Sequence, residues 1–181
     1  SAYNLTSEED TEFLERLTKG DYSECEDTNA DMFQLGHRKL TEAGFSHYET
    51  SNYAIPGKES QHNLSYWHGH DYLGLGPSAV STIEGKRWKN IPDTARYIHA
   101  LQTVGHAKSE EEVIDQNAFR TERIALLLRT SSGLPTEYLK LSPAGTVDSL
   151  TSHGLAKISD GHLRLINDGT LLVDAIAEQL I

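Results

Sequence analysis

Hydrophobic residues near the start of the chain fall at helical spacing. Phe13, Leu14 and Leu17 lie on one face of a predicted helix, which Thr6 would cap and Gly20 would end. The pattern therefore predicts a short amphipathic helix followed directly by a turn.

A second helix and an extended segment follow. Apolar residues at helical spacing predict a helix over residues 29–43, capped by Asn29 and stopped by Gly44. The pattern of residues 46–53 predicts one continuous strand. A helix, a glycine and a strand in that order are typical of an α/β repeat.

The middle of the chain predicts short strands between turns. Pro56-Gly57 would end the first strand, and residues 57–63 have the polar composition of a loop. Residues 72–81 predict an apolar strand that runs into a glycine-rich turn, and Glu84-Gly85-Lys86 predicts a turn between two short strands. A helix from Pro92 to Leu101 closes this part.

From about residue 110 the pattern is that of a separate module. On its first helix, Phe119, Ile124, Leu127 and Leu128 form the apolar side. Asp160-Gly161 between two alternating runs is typical of a hairpin turn. The predicted elements are a helix over residues 117–129, short helices opened by Pro135 and Pro143, strands over 155–159 and 162–166, and a helix over 169–180.

This order of helices, hairpin and final helix is typical of a winged-helix-like module. We therefore predict an α+β chain with two domains, residues 1–108 and 109–181. The predicted recognition helix of the second domain, residues 143–153, contains no Lys or Arg. Recognition helices need cations for the phosphates, so a packing or docking role is favoured over DNA binding.

Composition narrows the class of protein. The chain has 181 residues, 24% of them charged and 37% hydrophobic, and a net charge of -11. An acidic chain disfavours nucleic-acid partners, which require neutralised phosphates. No apolar run approaches the roughly 20 residues that cross a bilayer. These properties predict a globular protein with no nucleic-acid partner and no transmembrane segment.

The single cysteine limits the chemistry. Cys25 cannot form an internal disulfide, and one thiol fits a reducing cytoplasm, which is the predicted location. A structural zinc or an iron–sulfur cluster normally takes three or four thiolates. The chain also begins at Ser1, and its only methionine is Met32. We therefore expect it to be the downstream part of a longer protein.

The residues from Tyr48 to Ala54 carry one candidate site. In a single strand, Glu49 and Ser51 would share one face, with Thr50 and Asn52 on the other. A carboxylate and an amide at the end of a barrel strand suit a ribose, an amino group or a propionate-bearing ligand. A buried cluster of mutually hydrogen-bonded polar groups is the equally weighted alternative.

A second candidate site lies in the run from His62 to Trp67. A neutral imidazole is a common metal ligand and a usual axial ligand of haem iron, so His62 could bind a metal. Tyr66 and Trp67 could stack on a macrocycle or a nucleoside. The alternative, which residue types alone favour, is an aromatic corner in which His62 and Asn63 cap a loop.

Two further motifs carry weaker signals. His68 and His70 stand two positions apart on a predicted loop, which favours surface or loop hydrogen bonds over a metal site. Gly74 and Gly76 could let the backbone approach a ligand, or could simply form a tight turn.

Taken together, these motifs resemble one family. Tyr48-Glu49-Thr50-Ser51-Asn52-Tyr53-Ala54, His62-Asn63-Leu64-Ser65-Tyr66-Trp67 and Asp71-Tyr72-Leu73-Gly74-Leu75-Gly76-Pro77 resemble the C-terminal half of the HemN/HemW-like radical SAM proteins. This family comprises oxygen-independent coproporphyrinogen III oxidases and related haem chaperones. The resemblance implies an α+β fold: the late strand-helix elements of a radical SAM partial barrel, followed by the family's C-terminal winged-helix-like domain.

The resemblance also implies roles for individual residues. His62 becomes a candidate haem iron ligand, with Asn63, Tyr66 and Trp67 around it. The residues expected near S-adenosylmethionine and substrate are Glu49, Ser51, Asn52, Gly74 and Gly76.

One departure from the family bears on activity. The cluster motif Cys-x-x-x-Cys-x-x-Cys is absent from this sequence, so Cys25 is not a cluster ligand. The resemblance implies a [4Fe–4S] cluster and S-adenosylmethionine in the full-length parent. For this chain alone we predict no catalytic residues and no radical activity.

Three functions stay open at this point, and the haem chaperone branch is favoured. The alternatives are an authentic anaerobic coproporphyrinogen III oxidase and a purely structural or docking domain. The expected partners are haem or porphyrin, a haem-receiving protein, and a second copy of the chain bound through exposed barrel surface.

Overall fold

The fold of this protein was obtained as a computed structural model. It describes residues 1–3, 8–23 and 25–181, which form two compact units, Ser1–Ser60 and Gln61–Ile181. Helices and short antiparallel sheets are mixed throughout, which confirms the predicted α+β class. The predicted domain boundary at residues 108 and 109 lies within the second unit and stays a prediction.

Two helices open the first unit. Helix α1 (Glu12–Lys19) begins after Thr11, whose Oγ1 accepts a hydrogen bond from the backbone N–H of Leu14 at 3.3 Å. It ends at Gly20, whose φ of 80° is left-handed as predicted. Thr6, the predicted cap, lies outside the described residues, and the observed cap is Thr11.

The second helix begins earlier than its predicted cap. Helix α2 (Glu26–Glu42) already includes Asn29, whose N–H donates to the Cys25 carbonyl at 3.0 Å. Asn29 is therefore a residue of the first turn of the helix and not its cap. Gly44, with a φ of 88°, follows the helix as predicted.

The predicted single strand over residues 46–53 is wrong. The segment forms a hairpin of two antiparallel strands, β1 (Ser46–Glu49) and β2 (Asn52–Ala54). Thr50 and Ser51 form the turn between them. Neither residue is a glycine or a proline, so the sequence carries no strong signal for this reversal.

The second unit begins with a helix where a polar loop was predicted. Its first elements are α3 (Gln61–Trp67), β3 (Val80–Ile83), β4 (Lys86–Asn90), α4 (Thr94–Thr103) and β5 (Lys108–Val113). The three strands form an antiparallel sheet in the order β3-β4-β5.

The turn between β3 and β4 lies where it was predicted, whereas the strand predicted over residues 72–81 is largely absent. Glu84 and Gly85, with φ values of 50° and 73°, connect β3 to β4. The predicted strand over residues 72–81 is extended only near its end, and Tyr72 forms an isolated bridge with Thr82. The segment between them is a loop held by side chains.

The remaining elements form the predicted winged-helix-like module. They are α5 (Gln116–Leu127), β6 (Leu134–Pro135), a 3₁₀ helix (Thr136–Leu141), α6 (Thr146–Ser152), β7 (Ala156–Ser159), β8 (His162–Leu165), a 3₁₀ helix (Asn167–Thr170) and α7 (Val173–Leu180). β7 and β8 form the hairpin around Asp160-Gly161, and β8 also pairs with β6.

The core of the second unit lies in this module. Its fully buried side chains come from α5, β6, β8 and α7: Ile124, Leu134, Leu163, Ile176 and Leu180. Phe119, which was predicted on the buried side of its helix, is 47% exposed. The apolar stripe of α5 is therefore narrower than its sequence indicates.

None of the helices in the described ranges is long and apolar enough to cross a membrane.

Candidate functional site

The hairpin of the first unit brings Glu49 and Asn52 together. They are register partners on β1 and β2, and they are only 2% and 8% exposed. The predicted pairing of Glu49 with Ser51 on one strand face is wrong, because the chain reverses at Ser51. The predicted arrangement of these polar residues is corrected by the hairpin, and their role as site residues stays a prediction.

Glu49 has an unsatisfied oxygen. Its Oε2 accepts a long hydrogen bond of 3.4 Å from the Ser51 N–H, whereas its buried Oε1 has no partner. The side chain of Asn52 accepts a hydrogen bond from the Ser1 hydroxyl. A buried carboxylate oxygen without a donor is costly. This oxygen therefore fits a ligand hydroxyl or ammonium group.

An aromatic cluster that sequence reasoning did not single out lies in the same unit. The His47 and Tyr53 rings are stacked with centroids 4.4 Å apart, and His37 Nδ1 is 3.2 Å from the Tyr53 hydroxyl. Burial lowers the pKa of His47, and burial raises the pKa of Tyr53. The cluster packs α2 against the hairpin and leaves the two imidazoles close together.

In the second unit, helix α3 carries the predicted haem-ligand motif. His62 and Tyr66 stand one turn apart on an exposed face, with their ring centroids 4.7 Å apart in an edge-to-face arrangement. Tyr66 meets Tyr72 at the same separation. Asn63 and Trp67 are also spaced one helical turn apart, and both residues are half-buried.

The predicted loop geometry for His62 is therefore wrong, because the motif is helical. The exposed imidazole of His62 engages no hydrogen bond among the residues that the structure describes. The imidazole can therefore reach the metal ion of a bound ligand. A histidine that capped a loop would instead have its ring engaged in hydrogen bonds.

His68 and His70 have the hydrogen bonds of loop residues. His68 Nε2 is 3.4 Å from the Ser132 hydroxyl, and His70 Nδ1 is 3.5 Å from the Ser65 hydroxyl. The pKa of His68 is lowered, first by burial and then by the charges of His70 and Arg123. Both arrangements agree with the loop role favoured from sequence.

Gly74 and Gly76 lie in a tightly held loop. The Gly74 N–H donates to the buried Ser81 hydroxyl at 3.0 Å, and Asn90 Nδ2 donates to the Gly74 and Gly76 carbonyls at 3.2 and 3.0 Å. The Gly76 N–H donates to the Tyr97 hydroxyl at 3.2 Å. Both backbone amides are thus engaged within the protein. Whether the loop also borders a ligand stays a prediction.

The residues present do not fit an iron–sulfur cluster. Cys25 is exposed, and a hydrogen bond with Thr28 lowers the pKa of its thiol. No group of three or more His, Cys, Asp and Glu side chains in the described ranges could hold a metal ion. The side chains that the structure describes therefore provide no ligand set for a cluster.

A cavity of about 340 Å³ in the second unit was not predicted from sequence. It is bounded by aromatic rings and by the buried guanidinium of Arg123, and Tyr66 of helix α3 is one of its walls. Arg123 occurs in an ordinary amphipathic helix, so its burial beside a cavity carries no signal in the sequence.

Comparison with known proteins gives a consistent set of relatives, although no family model matches. The haem chaperone HemW of Mycobacterium tuberculosis H37Rv is 32% identical over 182 residues, which cover 100% of this chain and 47% of that protein. HemW of Lactococcus lactis is 36% identical over 136 residues, covering 75% of this chain and 35% of that protein. The chain thus spans about half the length, or less, of the curated relatives it matches, in their C-terminal part.

A solved structure supports the fold. The radical SAM enzyme coproporphyrinogen III oxidase (HemN) of Escherichia coli superposes with a TM-score of 0.61 at 18% identity. The match covers 83% of this chain and 40% of that one. At this level of identity it shows a shared fold.

Proposed function

Because this chain belongs to the HemN/HemW-like radical SAM family, we propose that it is the haem-holding part of a haem chaperone of the HemW branch. The observation that carries the proposal is the exposed imidazole of His62 on helix α3, edge-to-face with Tyr66. The relatives named HemW support the branch.

In this proposal His62 binds the iron of haem through a neutral ring nitrogen. Tyr66, 39% exposed, offers its ring to the flat face or edge of the macrocycle. Asn63 and Trp67 flank the ligand from the next positions of the helix. On helix α3, His62 and Tyr66 form one row of side chains, and Asn63 and Trp67 form the adjacent row. The helix therefore needs no large movement to bring these side chains to the ligand.

We assign a separate role to the hairpin of the first unit. Glu49, Ser51 and Asn52 are proposed to contact S-adenosylmethionine in the full-length protein, because the free Glu49 Oε1 fits a ribose hydroxyl or the ammonium group. For the second unit we propose, independently of the hairpin, that Gly74 and Gly76 lie near S-adenosylmethionine or substrate in the full-length protein. S-adenosylmethionine would supply the radical chemistry of the family, and the residues described here would only bind and orient it.

A cytoplasmic location, a haem-receiving protein and a dimer complete the proposal. The oxidase alternative is favoured by one observation, the fold shared with coproporphyrinogen III oxidase. The test of this alternative is whether the full-length protein converts coproporphyrinogen under anaerobic conditions. If it does, the oxidase function replaces the chaperone function that we propose.

Haemin titration of the 181-residue chain tests the chaperone proposal. We expect a shifted Soret band that saturates, and an apparent Kd raised by at least about 10-fold in His62→Ala, since a metal ligand is lost. His153→Ala, which removes an exposed histidine at the end of α6, should bind as the wild type does. Equal binding by His62→Ala and the wild type would rule out His62 as the ligand. No Soret change at all would favour a docking domain.

A further inference from the structure

We propose that the cavity beside helix α3 binds one propionate carboxylate of the tetrapyrrole, through the buried guanidinium of Arg123. The inference rests on the proposed haem site at His62 and extends it to a second point of attachment. It assigns a function to a cavity and a buried charge that the motif on helix α3 does not include.

Arg123 is a buried cation without a counterion. Its side chain belongs to a residue that is 7% exposed, its Nη1 donates to the His68 carbonyl, and its buried Nε has no acceptor. No carboxylate of the described residues forms an ion pair with it. A buried charge is normally paired, so this arrangement is incomplete without an anion.

The neighbouring carboxylate does not supply that anion. Glu122 lies next to Arg123 on α5, but both of its oxygens accept hydrogen bonds from Arg87, at 2.6 and 2.8 Å. Arg87 thus has a hydrogen-bonded carboxylate partner, whereas Arg123 interacts with Glu122 only at longer range, through its charge. Of the two arginines on the cavity wall, only Arg123 has an unmet need for a carboxylate.

The position of the guanidinium is fixed by two contacts. A Cβ atom at Gly69 would overlap the guanidinium group, so only glycine allows it to lie there. On another side, Cζ of Arg123 stands 5.1 Å from the centre of the Phe119 ring, a cation–π distance. A cation held in one place before binding loses little entropy when a ligand arrives.

The cavity is continuous with the proposed haem face. Tyr66 lines it and also meets His62, while Tyr72 lines it and meets Tyr66. A flat ligand whose iron binds His62 would rest near Tyr66, with its edge toward the cavity. The propionates of a tetrapyrrole are flexible monoanions at that edge.

The charge balance of the cavity favours a monoanion. Asp71 and Glu122 also line it, and Asp71 Oδ2 is engaged by the Glu84 N–H at 3.1 Å. Their negative charge would oppose a phosphate dianion more strongly than a single carboxylate. The volume of about 340 Å³ leaves room for a propionate arm beside the aromatic rings.

The test compares haemin with haemin dimethyl ester, in which both carboxylates are masked. With the wild-type chain we expect the ester to bind about 10-fold more weakly, because a charge-assisted hydrogen bond is lost. With Arg123→Gln the two ligands should bind alike. Arg96→Gln removes an exposed positive charge on α4 and should discriminate as the wild type does. Equal binding of haemin and its ester to the wild type would overturn the proposal.

Metal-free protoporphyrin IX and its dimethyl ester separate this inference from the function on which it rests. Their binding, followed by porphyrin fluorescence, does not need an iron ligand. If His62→Ala leaves haemin binding unchanged but the free acid still binds about 10-fold better than the ester, the carboxylate site stands and the iron ligand is wrong. If the acid and the ester bind alike, or if Arg123→Gln retains the difference, the carboxylate site is wrong. The ester comparison on the wild type needs no variant, so a folding defect in Arg123→Gln would not decide the outcome.

Discussion

Arg87 on β4 and Glu122 on α5 are joined by a two-point ion pair, with Nη1–Oε1 at 2.6 Å and Nη2–Oε2 at 2.8 Å. Glu112 on β5 adds a third contact, 3.3 Å from the same Nη1. The hydrogen bonds from Arg87 lower the pKa of Glu122, although partial burial acts in the opposite direction. The pair therefore connects the three-stranded sheet to the first helix of the winged-helix-like module.

Glu122→Gln should lower the free energy of unfolding of the second unit by about 1–2 kcal/mol, since a bidentate, partly buried pair loses its charge. Urea unfolding followed by fluorescence of Trp67 and Trp88, both in this unit, would measure the loss. Glu110→Gln, an exposed site on β5, is the matched control and should change stability by less than about 0.5 kcal/mol.

The stability difference between the wild type and Glu122→Gln should depend on pH. The pKa of Glu122 in the folded chain is below its ordinary value of 4.5, so its stabilisation is present above pH 4.5 and is lost as the pH falls through the folded pKa. The difference in stability between wild type and Glu122→Gln should shrink below pH 4.5. A constant difference across that range would contradict the assigned role of the charge.

Gly69→Ala should destabilise the second unit by more than its backbone conformation alone requires. Gly69 has a φ of 60°, and an added Cβ would also overlap the Arg123 guanidinium. Gly105→Ala is the control, because Gly105 also has a left-handed φ, of 82°, but no atom lies within 4 Å of the added Cβ. We expect a further loss of about 1–3 kcal/mol for Gly69→Ala in thermal or urea unfolding. Equal losses would show that Arg123 moves aside without cost.

Asn90→Ala should loosen the loop that contains Gly74 and Gly76. The buried amide of Asn90 supplies two hydrogen bonds to this loop. Its removal takes the donor from the Gly74 carbonyl and leaves the Gly76 carbonyl with only the long bond of 3.4 Å from the Ala79 N–H. A loss of about 1–3 kcal/mol and faster hydrogen exchange at the Gly76 amide are expected. Tyr97→Phe removes only the acceptor of that amide and should accelerate exchange there with a smaller loss of stability. Slow exchange at Gly76 in Asn90→Ala would argue against this support.

His47 should titrate below its ordinary pKa of 6.5, because burial and then the nearby charge of His37 disfavour its protonated form. Well above pH 6.5 the imidazole is neutral in both folded and unfolded chains. As the pH falls below 6.5 the unfolded chain takes up the proton first, so the first unit loses stability until the folded pKa is passed.

A histidine NMR titration measures this pKa, and hydrogen exchange of the β1–β2 amides measures the stability. In His37→Gln the pKa of His47 should move upward, because a like charge is removed. A pKa at or above 6.5 in the wild type would contradict the burial of this ring.

Elements with a local conformational signal were predicted well from sequence. The turns at Glu84-Gly85 and Asp160-Gly161 combine positive φ values with flanking strands, and both were found where expected. The helix after Asp93 also begins as predicted, with the Asp93 carboxylate accepting from the Arg96 N–H at 2.8 Å. In each case one or two residues determine the local backbone.

The elements that were missed depend on contacts distant in sequence. Helix α3 carries few aliphatic residues, so its composition indicated a loop, and its rings are packed instead by Tyr72. Strand β5 is charged along most of its length and forms because β4 offers it a partner. The β1–β2 turn at Thr50-Ser51 has no glycine to mark it.

In the candidate site, too, some features have a local sequence signal and others depend on contacts distant in sequence. The motifs over residues 48–54, 62–67 and 71–77, taken together, were enough to indicate the family. The role of Arg123 depends on Gly69 and on the full use of Glu122 by Arg87, and neither can be read from the helix that carries it. Burial and missing partners are properties of the folded chain.

Strand β5 forms an outer edge of its sheet, and every residue of Lys108–Val113 is exposed. A free strand edge is a template on which another molecule can add a strand and start an aggregate. Glu110, Glu111 and Glu112 follow one another along this edge, so a second copy laid beside it would bring like charges together. A segment with no buried residue would thus keep neighbouring molecules apart in concentrated solution.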